Sequence, residues 1–282
     1  MLLFDRGREC TVAVACGRVA RLGSRRGQTA AKASLTTPYS LADVAGLLPD
    51  TPQWIEVRSM LLHGQGRLVG PVGTSPPTFV ALHSDGDQAV VVGRASPAAI
   101  LEAASVAGEI LAAAGDESWV TGVLPSWKVE SAVLFRRPAT SLLPRAADAS
   151  VRFLATEELA ALTANPPPRM PETLRDELRW VQAAHTPIAA AFDGVSAAAF
   201  CYAGSITETL WDVSIDTLEP YRRRGHAMSA ATFLIEHYAS CGKQPVWGAL
   251  VSNHASAALA SRLGFEPVGS LLVFNAPAVV DG

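Results

Sequence analysis

The sequence predicts an α/β protein of the α+β type, with a mixed central sheet flanked by helices. Three observations support this prediction. Short apolar runs of strand length alternate with longer stretches of helical periodicity, glycine and proline clusters separate them, and 49% of the 282 residues are hydrophobic. A chain of this length and composition can form one large domain or two of ordinary size.

In the first half of the chain, the sequence predicts one helix followed by a strand–strand–helix–strand series. Ser40 has the capping-box spacing to Asp43 and is expected to begin the first helix. Ser96 and Pro97 are good N-cap and N1 residues for a long helix that runs to Gly115. The predicted strands cover residues 78–83, 88–93 and 119–124.

A change in composition divides the chain near its middle. Residues 136–148 contain Pro138 and Pro144 among several small residues, which is typical of a linker. We therefore predict an N-terminal α/β domain over residues 1–145 and a C-terminal domain over residues 146–282.

The second half contains its own series of predicted strands and helices, almost wholly within residues 150–275. The Asp193-Gly194 pair marks a turn between two of the strands. The predicted strands cover residues 151–155, 187–192, 197–203, 207–217, 245–251 and 265–274, and the predicted helices cover residues 157–162, 171–183, 223–240 and 255–262.

Charge and cysteine content exclude several classes of function. The formal net charge of −3 argues against a nucleic-acid partner, which would require a basic stripe. The four cysteines, Cys10, Cys16, Cys201 and Cys241, are too scattered for a disulfide framework, and none forms a Cys-x-x-Cys metal clamp. We expect a cytoplasmic protein without a bound metal.

The sequence also argues against a membrane location. Residues 11–16 loosely resemble a lipoprotein cleavage site, but the apolar run is short and Asp5 and Glu9 interrupt the region that would be basic. The longest later apolar stretch carries Glu102 and Glu109 in a helical pattern. No membrane partner is expected.

The motif that carries most chemistry is Arg-Arg-Arg-Gly-His-Ala at residues 222–227, between an apolar strand and a helix predicted to begin near Arg223. The first amides of a helix have no intrahelical partner, and the helix dipole favours an anion there. Gly225 allows a phosphate to approach the backbone closely, and Ala227 keeps the first turn uncrowded. The motif predicts a phosphate site, but taken alone it is weak evidence, because Arg, Gly and Ala are abundant in this chain and a basic turn is usually just solvated.

A second motif makes the prediction specific. It runs from Pro245-Val246-Trp247 through Asn253-x-x-Ser256 and Leu259-Ala260 to Gly264-Phe265. Together the two motifs resemble the GNAT superfamily of N-acetyltransferases. The resemblance implies a GNAT fold for the C-terminal half. The N-terminal half is then either a degenerate copy of that fold or an unrelated domain that covers substrate or forms a homodimer.

The resemblance assigns a role to each motif. In this superfamily the first motif binds the pyrophosphate of acetyl-CoA, and the strand before it binds pantetheine through its main chain. Asn253 matches a position that contacts the cofactor chain, although an asparagine there can also be a helix N-cap. The cofactor-binding residues implied in this way are Ile215, Asp216, Thr217, Arg222, Arg223, Arg224, Gly225, His226, Ala227, Asn253 and Ser256.

One position departs from the family pattern. Many members have a tyrosine after the leucine of the second motif, placed to protonate the leaving thiolate, whereas Ala260 follows Leu259 here. A water or a hydroxyl such as Ser256 or Ser261 would have to replace the phenol, or activity would be low or lost. The resemblance extends to the branch of zwittermicin A resistance acetyltransferases, which also lacks this tyrosine.

A base is required because a protonated amine cannot attack a thioester. Glu208 and Asp212 lie on the predicted strand before the turn, and either could accept the proton or be an ordinary exposed or ion-paired carboxylate. Trp211 could line the acceptor pocket or belong to the core. Cys201 and Cys241 are expected to be buried apolar groups rather than nucleophiles.

These observations predict an acyl-CoA-dependent N-acyltransferase that moves acetyl from acetyl-CoA to a primary amine of a small molecule by direct attack in a ternary complex. The alternative is a non-catalytic acyl-CoA-binding sensor or interaction module, which Ala260 and the large N-terminal half would suit. The sequence contains no Gly-x-x-x-x-Gly-Lys-Ser/Thr motif of a nucleotide-binding loop.

Overall fold

A computed structural model of the chain describes residues 39–138, 143, 150–167 and 169–277. The N-terminal half begins with helices α1 (Leu41–Gly46) and α2 (Ile55–Leu62), the second preceded by a 3₁₀ turn at Pro52–Trp54. The remaining elements of this half are β1 (Gly66–Thr74), β2 (Pro77–His83), β3 (Gln88–Val92), α3 (Pro97–Ala104), β4 (Glu109–Ala113), a 3₁₀ turn (Ala114–Asp116), α4 (Glu117–Val123) and β5 (Lys128–Arg136).

The C-terminal half starts with β6 (Ser150–Phe153), and the helices α5 (Thr156–Ala164) and α6 (Glu172–Ala183) follow it. The elements that complete it are β7 (Ala189–Asp193), β8 (Ser196–Ile206), β9 (Leu210–Thr217), a 3₁₀ turn (Glu219–Tyr221), α7 (His226–Ser240), β10 (Gln244–Leu250), α8 (His254–Arg262) and β11 (Glu266–Asn275).

All the strands of the described residues form one mixed sheet of 11 strands, in the order β1-β2-β3-β4-β11-β5-β10-β9-β8-β7-β6. The two halves repeat one topology. In each, three antiparallel strands are followed by a helix, a parallel strand, a second helix and a final strand. The fold class predicted from the sequence is confirmed, and the N-terminal half follows the same strand and helix order as the C-terminal half.

The final strands of the two halves are exchanged. β5 of the N-terminal half lies between β10 and β11, and β11 of the C-terminal half lies between β4 and β5. All these pairings are antiparallel, and β5 and β11 pair along their length, with Leu271 opposite Ala132. Each half therefore depends on a strand of the other to continue its sheet.

The helices cover both faces of the sheet. Leu134 packs with α1 and α2, whereas the next residue, Phe135, packs with α7 and α8. In the same way, Leu271 packs with α1 and α2, whereas the next residue, Leu272, packs with α3 and α4. Because successive strand residues point to opposite faces, α1 and α2 lie on one face, and α3, α4, α7 and α8 lie on the other.

The structure corrects two predictions in the N-terminal half. The long helix predicted from Ser96 ends at Ala104, and residues 109–113 form β4 instead. Every residue of β4 is buried, and a short, continuously apolar run cannot be assigned to helix or strand from its periodicity. The strand predicted at 119–124 is helix α4, held by a hydrogen bond from Trp119 Nε1 to the Ala95 carbonyl at 3.0 Å.

The predicted linker lies largely outside the described residues, as do Cys10, Cys16 and residues 11–16. The domain boundary near residue 145 therefore stays a prediction. In the part of the chain that the structure describes, no helix is long and apolar enough to cross a membrane. The same residues contain no cluster of His, Cys, Asp and Glu side chains that could hold a metal ion.

Candidate functional site

The sheet opens between β9 and β10. These parallel strands pair only at Leu210–Gln244, Trp211–Pro245 and Asp212–Val246. β9 continues to Thr217 along β8, while β10 continues to Leu250 along β5. Beyond Asp212 the facing edges of the two strands no longer pair, so a wedge-shaped gap in the pairing leaves main-chain groups of β9 without a strand partner on this edge. Ile215, Asp216 and Thr217, the predicted pantetheine positions, lie on this edge and are half-buried.

The corresponding strands of the N-terminal half remain closed. β3 and β4 pair at four positions, from Gln88–Glu109 to Val91–Ala112, which takes the pairing almost to the end of both strands. The opening is therefore a property of the C-terminal half among the strands that the structure describes.

The basic turn at the end of β9 has a backbone suited to an anion. Arg223 and Gly225 both adopt left-handed conformations, with φ of 63° and 88°. Successive turn residues of this kind direct their N–H groups into one concavity. Gly225 is the N-cap of the 15-residue helix α7, and no side chain among the described residues caps it. The helix begins at His226, three positions after the predicted start, so the Arg223 and Arg224 amides belong to the loop.

Side chains of the turn fix its shape. Arg222 Nε donates to the Thr217 carbonyl at 3.2 Å, and Arg224 forms an ion pair with Asp193 at 3.1 Å. All three arginines are exposed. His226 is buried, and within the described chain its Nδ1 has no hydrogen-bond partner. The ring packs edge-on against Tyr221.

The equivalent helix start in the N-terminal half is closed to an anion. Ser96 caps α3 by accepting a hydrogen bond from the Ala99 amide at 3.2 Å. Pro97, the first residue of the helix, has no N–H group to offer. This half retains the helix but not the amides that a phosphate would need.

Asn253 and Ser256 have structural roles at the start of α8. Asn253 is its N-cap, and its side-chain oxygen accepts a hydrogen bond from the Ser256 amide at 3.1 Å. Ser256 Oγ accepts a hydrogen bond from Trp247 Nε1 at 2.9 Å. These bonds use the side-chain oxygen of each residue as an acceptor. The Asn253 side-chain NH₂ and the Ser256 hydroxyl hydrogen are therefore the groups that each could donate to a ligand.

Asp212 lies where the opening begins. It is half-buried, and no ion pair to it is found among the described residues. Burial, together with the nearby Glu56 carboxylate of α2, raises the pKa of Asp212 well above its usual range. A carboxyl group with a raised pKa is a stronger base than an ordinary aspartate.

The polar contacts around Asp216, further along β9, were not predicted from the sequence. Tyr202 of β8 donates a hydrogen bond to Glu177 of α6 at 2.5 Å, and its hydroxyl lies 3.5 Å from Asp216. Burial and the two carboxylates raise the pKa of Tyr202, so the phenol stays protonated. Burial also raises the pKa of Asp216. Glu56, Glu177 and Tyr202 lie far from both motifs in sequence, and no spacing rule would have found them.

Glu208 lies elsewhere than predicted. It precedes β9 in an exposed turn rather than on the strand, and its carboxylate pairs with Arg58 of α2. The ion pair and the exposed position agree with the alternative that Glu208 is an ordinary exposed, ion-paired carboxylate. Its role as a base stays a prediction.

Three other residues belong to the core. Trp211 is fully buried on the α7 face, where it stacks on Tyr238 with ring centroids 4.5 Å apart. Cys201 is fully buried, and burial raises the pKa of its thiol far above the normal value, which leaves it protonated. Ala260 is fully buried in the same cluster. The family's phenol therefore has no counterpart at residue 260.

Comparison with known proteins agrees with this geometry. Residues 189–274 match the family model described as GNAT acetyltransferase. This segment contains β9, the basic turn and the Asn253 motif. Among curated proteins, none matches the sequence. The finer resemblance to the zwittermicin A resistance branch is not shown by these comparisons and stays a prediction.

Solved structures extend the likeness to both halves. A GCN5-related N-acetyltransferase-like protein from Streptococcus suis is 14% identical, with a TM-score of 0.60 and coverage of 83% of this chain and 96% of that one. A GCN5-related N-acetyltransferase from Kribbella flavida is 17% identical, with a TM-score of 0.57 and coverage of 86% and 97%.

A tandem GNAT protein from the clavulanic acid biosynthesis pathway, solved without AcCoA, is 12% identical, with a TM-score of 0.54 and coverage of 85% and 96%. At these identities the likeness establishes the fold. The similarity to a tandem protein agrees with the repeated topology of the two halves.

Proposed function

We propose that this chain, in which residues 189–274 match the GNAT acetyltransferase family model, transfers acetyl from acetyl-CoA to a primary amine of a small molecule. The single observation that carries the proposal is the continuous path from Asp212 along the open edge of β9 to the left-handed turn at Gly225. The path joins a carboxylate with a raised pKa to an anion-binding turn.

The residues along this path fit acetyl-CoA. The unpaired edge of β9 offers main-chain hydrogen bonds to an extended pantetheine arm, and the turn offers amides and positive charge to a pyrophosphate. Acetyl-CoA would supply the activated acetyl thioester. The residues that would hold it are Ile215, Asp216 and Thr217 on the strand, Arg222, Arg223, Arg224, Gly225, His226 and Ala227 at the turn, and Asn253 and Ser256 on α8.

Asp212 is the base that the geometry favours. It lies at the closed end of the wedge, whereas Glu208 is outside it and already paired with Arg58. A carboxylate whose pKa lies nearer that of an ammonium group removes its proton more readily. We propose that Asp212 takes the proton from the acceptor amine, directly or through a water, and that the neutral nitrogen then attacks.

The proton for the leaving sulfur has to come from a group other than residue 260. Ser261 donates its hydroxyl to the Ala257 carbonyl at 3.0 Å and is committed to the helix. Ser256 accepts from Trp247 and keeps its own hydroxyl hydrogen for donation. Of the two serines considered from the sequence, Ser256 is therefore the better donor.

The second candidate function is a non-catalytic acyl-CoA-binding sensor. The observation that favours it is Ala260, since the missing phenol weakens catalysis without affecting the turn or the open strand edge. Both candidates require acyl-CoA binding. They differ in whether an acceptor amine reaches Asp212.

Two measurements test the proposal in order. Calorimetric titration of the full-length chain with acetyl-CoA should show binding, and its absence would overturn both candidates. A thiol-release assay with acetyl-CoA against amines, amino acids, polyamines and aminoglycosides should then identify an acceptor. Tight binding with no acceptor-dependent release across the panel would favour the sensor.

A further inference from the structure

Hydrogen bonds and an ion pair connect helix α2 of the N-terminal half to the β8–β9 hairpin of the C-terminal half. Ser59 Oγ accepts a hydrogen bond from the Ile206 amide at 3.1 Å, and Arg58 pairs with Glu208. Asp50, in the segment before α2, accepts hydrogen bonds from the hydroxyls of Thr207 and Thr209, both at 2.7 Å. The hairpin that carries Asp212 is thus held from outside its own half.

The same helix places Glu56 beside Asp212. The pairing of β8 and β9 shifts between Ala203–Val213 and Ile206–Trp211, so residues 204 and 205 bulge opposite Asp212. Ser205, which is fully buried, donates a hydrogen bond to Glu56 at 2.7 Å. The bulge therefore anchors the Glu56 carboxylate at the level of Asp212 in the sheet.

The neighbouring residue of α2 fixes this arrangement by packing. Ile55 forms a buried cluster with Leu210 and Val246. Leu210 lies two positions before Asp212 on the same face of β9, and Val246 is the register partner of Asp212 on β10. Ile55 thus covers the sheet on either side of Asp212, and Glu56 follows it directly in sequence.

We propose that Glu56 is a positioning residue for Asp212, so that the N-terminal half completes the acyl-acceptor site of the C-terminal half. The inference deepens the proposed function and rests on it for the role of Asp212 as base. Two carboxylates side by side would also hold a cationic amine before its proton is removed. The described part of the N-terminal half has closed strands β3 and β4 and a capped helix α3, and α2 is the element through which it would serve the site.

The charges around the pair define what Glu56 does. A neighbouring negative charge disfavours ionisation, so Glu56 helps to raise the pKa of Asp212. Glu56 also raises the pKa of Glu109 on β4, and Arg58, the one cation of α2, is already paired with Glu208. Asp216 lies further along β9, next to Tyr202. Removing the charge of Glu56 should therefore lower the pKa of Asp212, while the larger effect of burial remains.

The test is a carboxyl titration of the full-length, ligand-free protein by ¹³C NMR, with the Asp212 signal assigned by its loss in Asp212→Asn. Glu56→Gln keeps a hydrogen-bond acceptor for Ser205 but removes the charge, and the Asp212 midpoint should fall. Glu102→Gln is the matched control, since Glu102 is exposed on α3 and pairs with Arg67. In this variant the titration midpoint of Asp212 should equal that of the wild type.

Ser205→Ala provides a second route if Glu56→Gln does not fold. It keeps the charge but releases the anchor, and it should lower the Asp212 midpoint by less than Glu56→Gln does. An unchanged midpoint in either folded variant overturns the inference. The titration needs no acetyl-CoA and no acceptor, so its failure leaves the proposed function standing. Absent acetyl-CoA binding with a lowered midpoint in Glu56→Gln would overturn the function and the acceptor-site role, and would leave only the coupling between Glu56 and Asp212.

Discussion

Asp212 of β9 and Val246 of β10 form the last register pair between these two strands. The path proposed for acetyl-CoA begins at this pair. The residues of β9 before Asp212 pair with β10. After Asp212 the two strands no longer pair, and β9 leads to the turn at Gly225. The corresponding strands of the N-terminal half, β3 and β4, do not separate in this way and stay paired almost to their ends.

The turn prediction concerns Gly225, whose φ of 88° is unfavourable for a β-branched side chain. Gly225→Val should weaken acetyl-CoA binding by about tenfold or more, because strain of this kind costs about 1–3 kcal/mol and moves the amides from the phosphates. Calorimetric titration measures the affinity. Gly242→Val is the matched control, as Gly242 has φ of 75° in open space away from the turn. Equal affinity in folded Gly225→Val would contradict the site.

The second prediction distinguishes Asp212 from Glu208 as the general base. Asp212→Asn should lower turnover by about 10²–10⁴-fold while acetyl-CoA binding is retained, as expected for the loss of a general base. Glu208→Gln should keep most of the turnover, because Glu208 is exposed and paired with Arg58. Steady-state kinetics with an identified acceptor measures both. Full turnover in Asp212→Asn, or loss of turnover in Cys201→Ala, would refute direct transfer with Asp212 as base.

The pH dependence of the rate should have the sign that a raised carboxyl pKa dictates. The pKa of Asp212 lies well above the normal value, so the base is protonated and inactive at acidic pH. The rate constant kcat should rise with pH through this pKa. Glu56→Gln should move the acidic limb to lower pH, because the repelling charge is gone. A limb that stays in place would indicate that another group limits the rate.

The sequence predicted the C-terminal half well because its strands and helices alternate clearly and its two motifs have defined positions. It failed at β4, where an alanine-rich apolar run suits a helix locally but is buried within the sheet. It also missed β1 and β5. The exchange of β5 and β11 could not be predicted, because strand order depends on contacts between residues far apart in sequence. Glu56 and Asp212 are likewise brought together by contacts between elements far apart in sequence, those of α2 with the β8–β9 hairpin.

A stability prediction follows from Glu109, which is buried at the start of β4 and accepts a hydrogen bond from Gln88 at 2.8 Å. Burial raises its pKa from 4.5 to about 7, so the folded protein binds this proton more tightly than the unfolded chain. Its contribution to stability is present below pH 4.5 and is lost as the pH rises towards 7.

The free energy of unfolding of Glu109→Gln should therefore fall less than that of the wild type as the pH rises from 4.5 to 7. At pH 8 this variant should be more stable than the wild type. Urea unfolding at several pH values measures the difference. Glu102→Gln, at an exposed position, should follow the wild-type curve. Parallel curves for Glu109→Gln and the wild type would show that Glu109 does not carry the raised pKa.

The last prediction concerns the exchanged strands. The segment between β5 and β6 contains the predicted linker, and limited proteolysis should cut first within residues 138–148. Because β5 lies between β10 and β11, the two fragments should remain together on size-exclusion chromatography and separate only in denaturant. Residues 146–282 expressed alone would lack β5, which pairs with β10 and β11, and β4, the other partner of β11, together with the α2 contacts to the β8–β9 hairpin. We expect this fragment to aggregate or unfold, and co-expression with residues 1–145 to restore a soluble complex. A stable, monomeric fragment 146–282 that binds acetyl-CoA as tightly as the full chain would show that the exchange is not needed for the site.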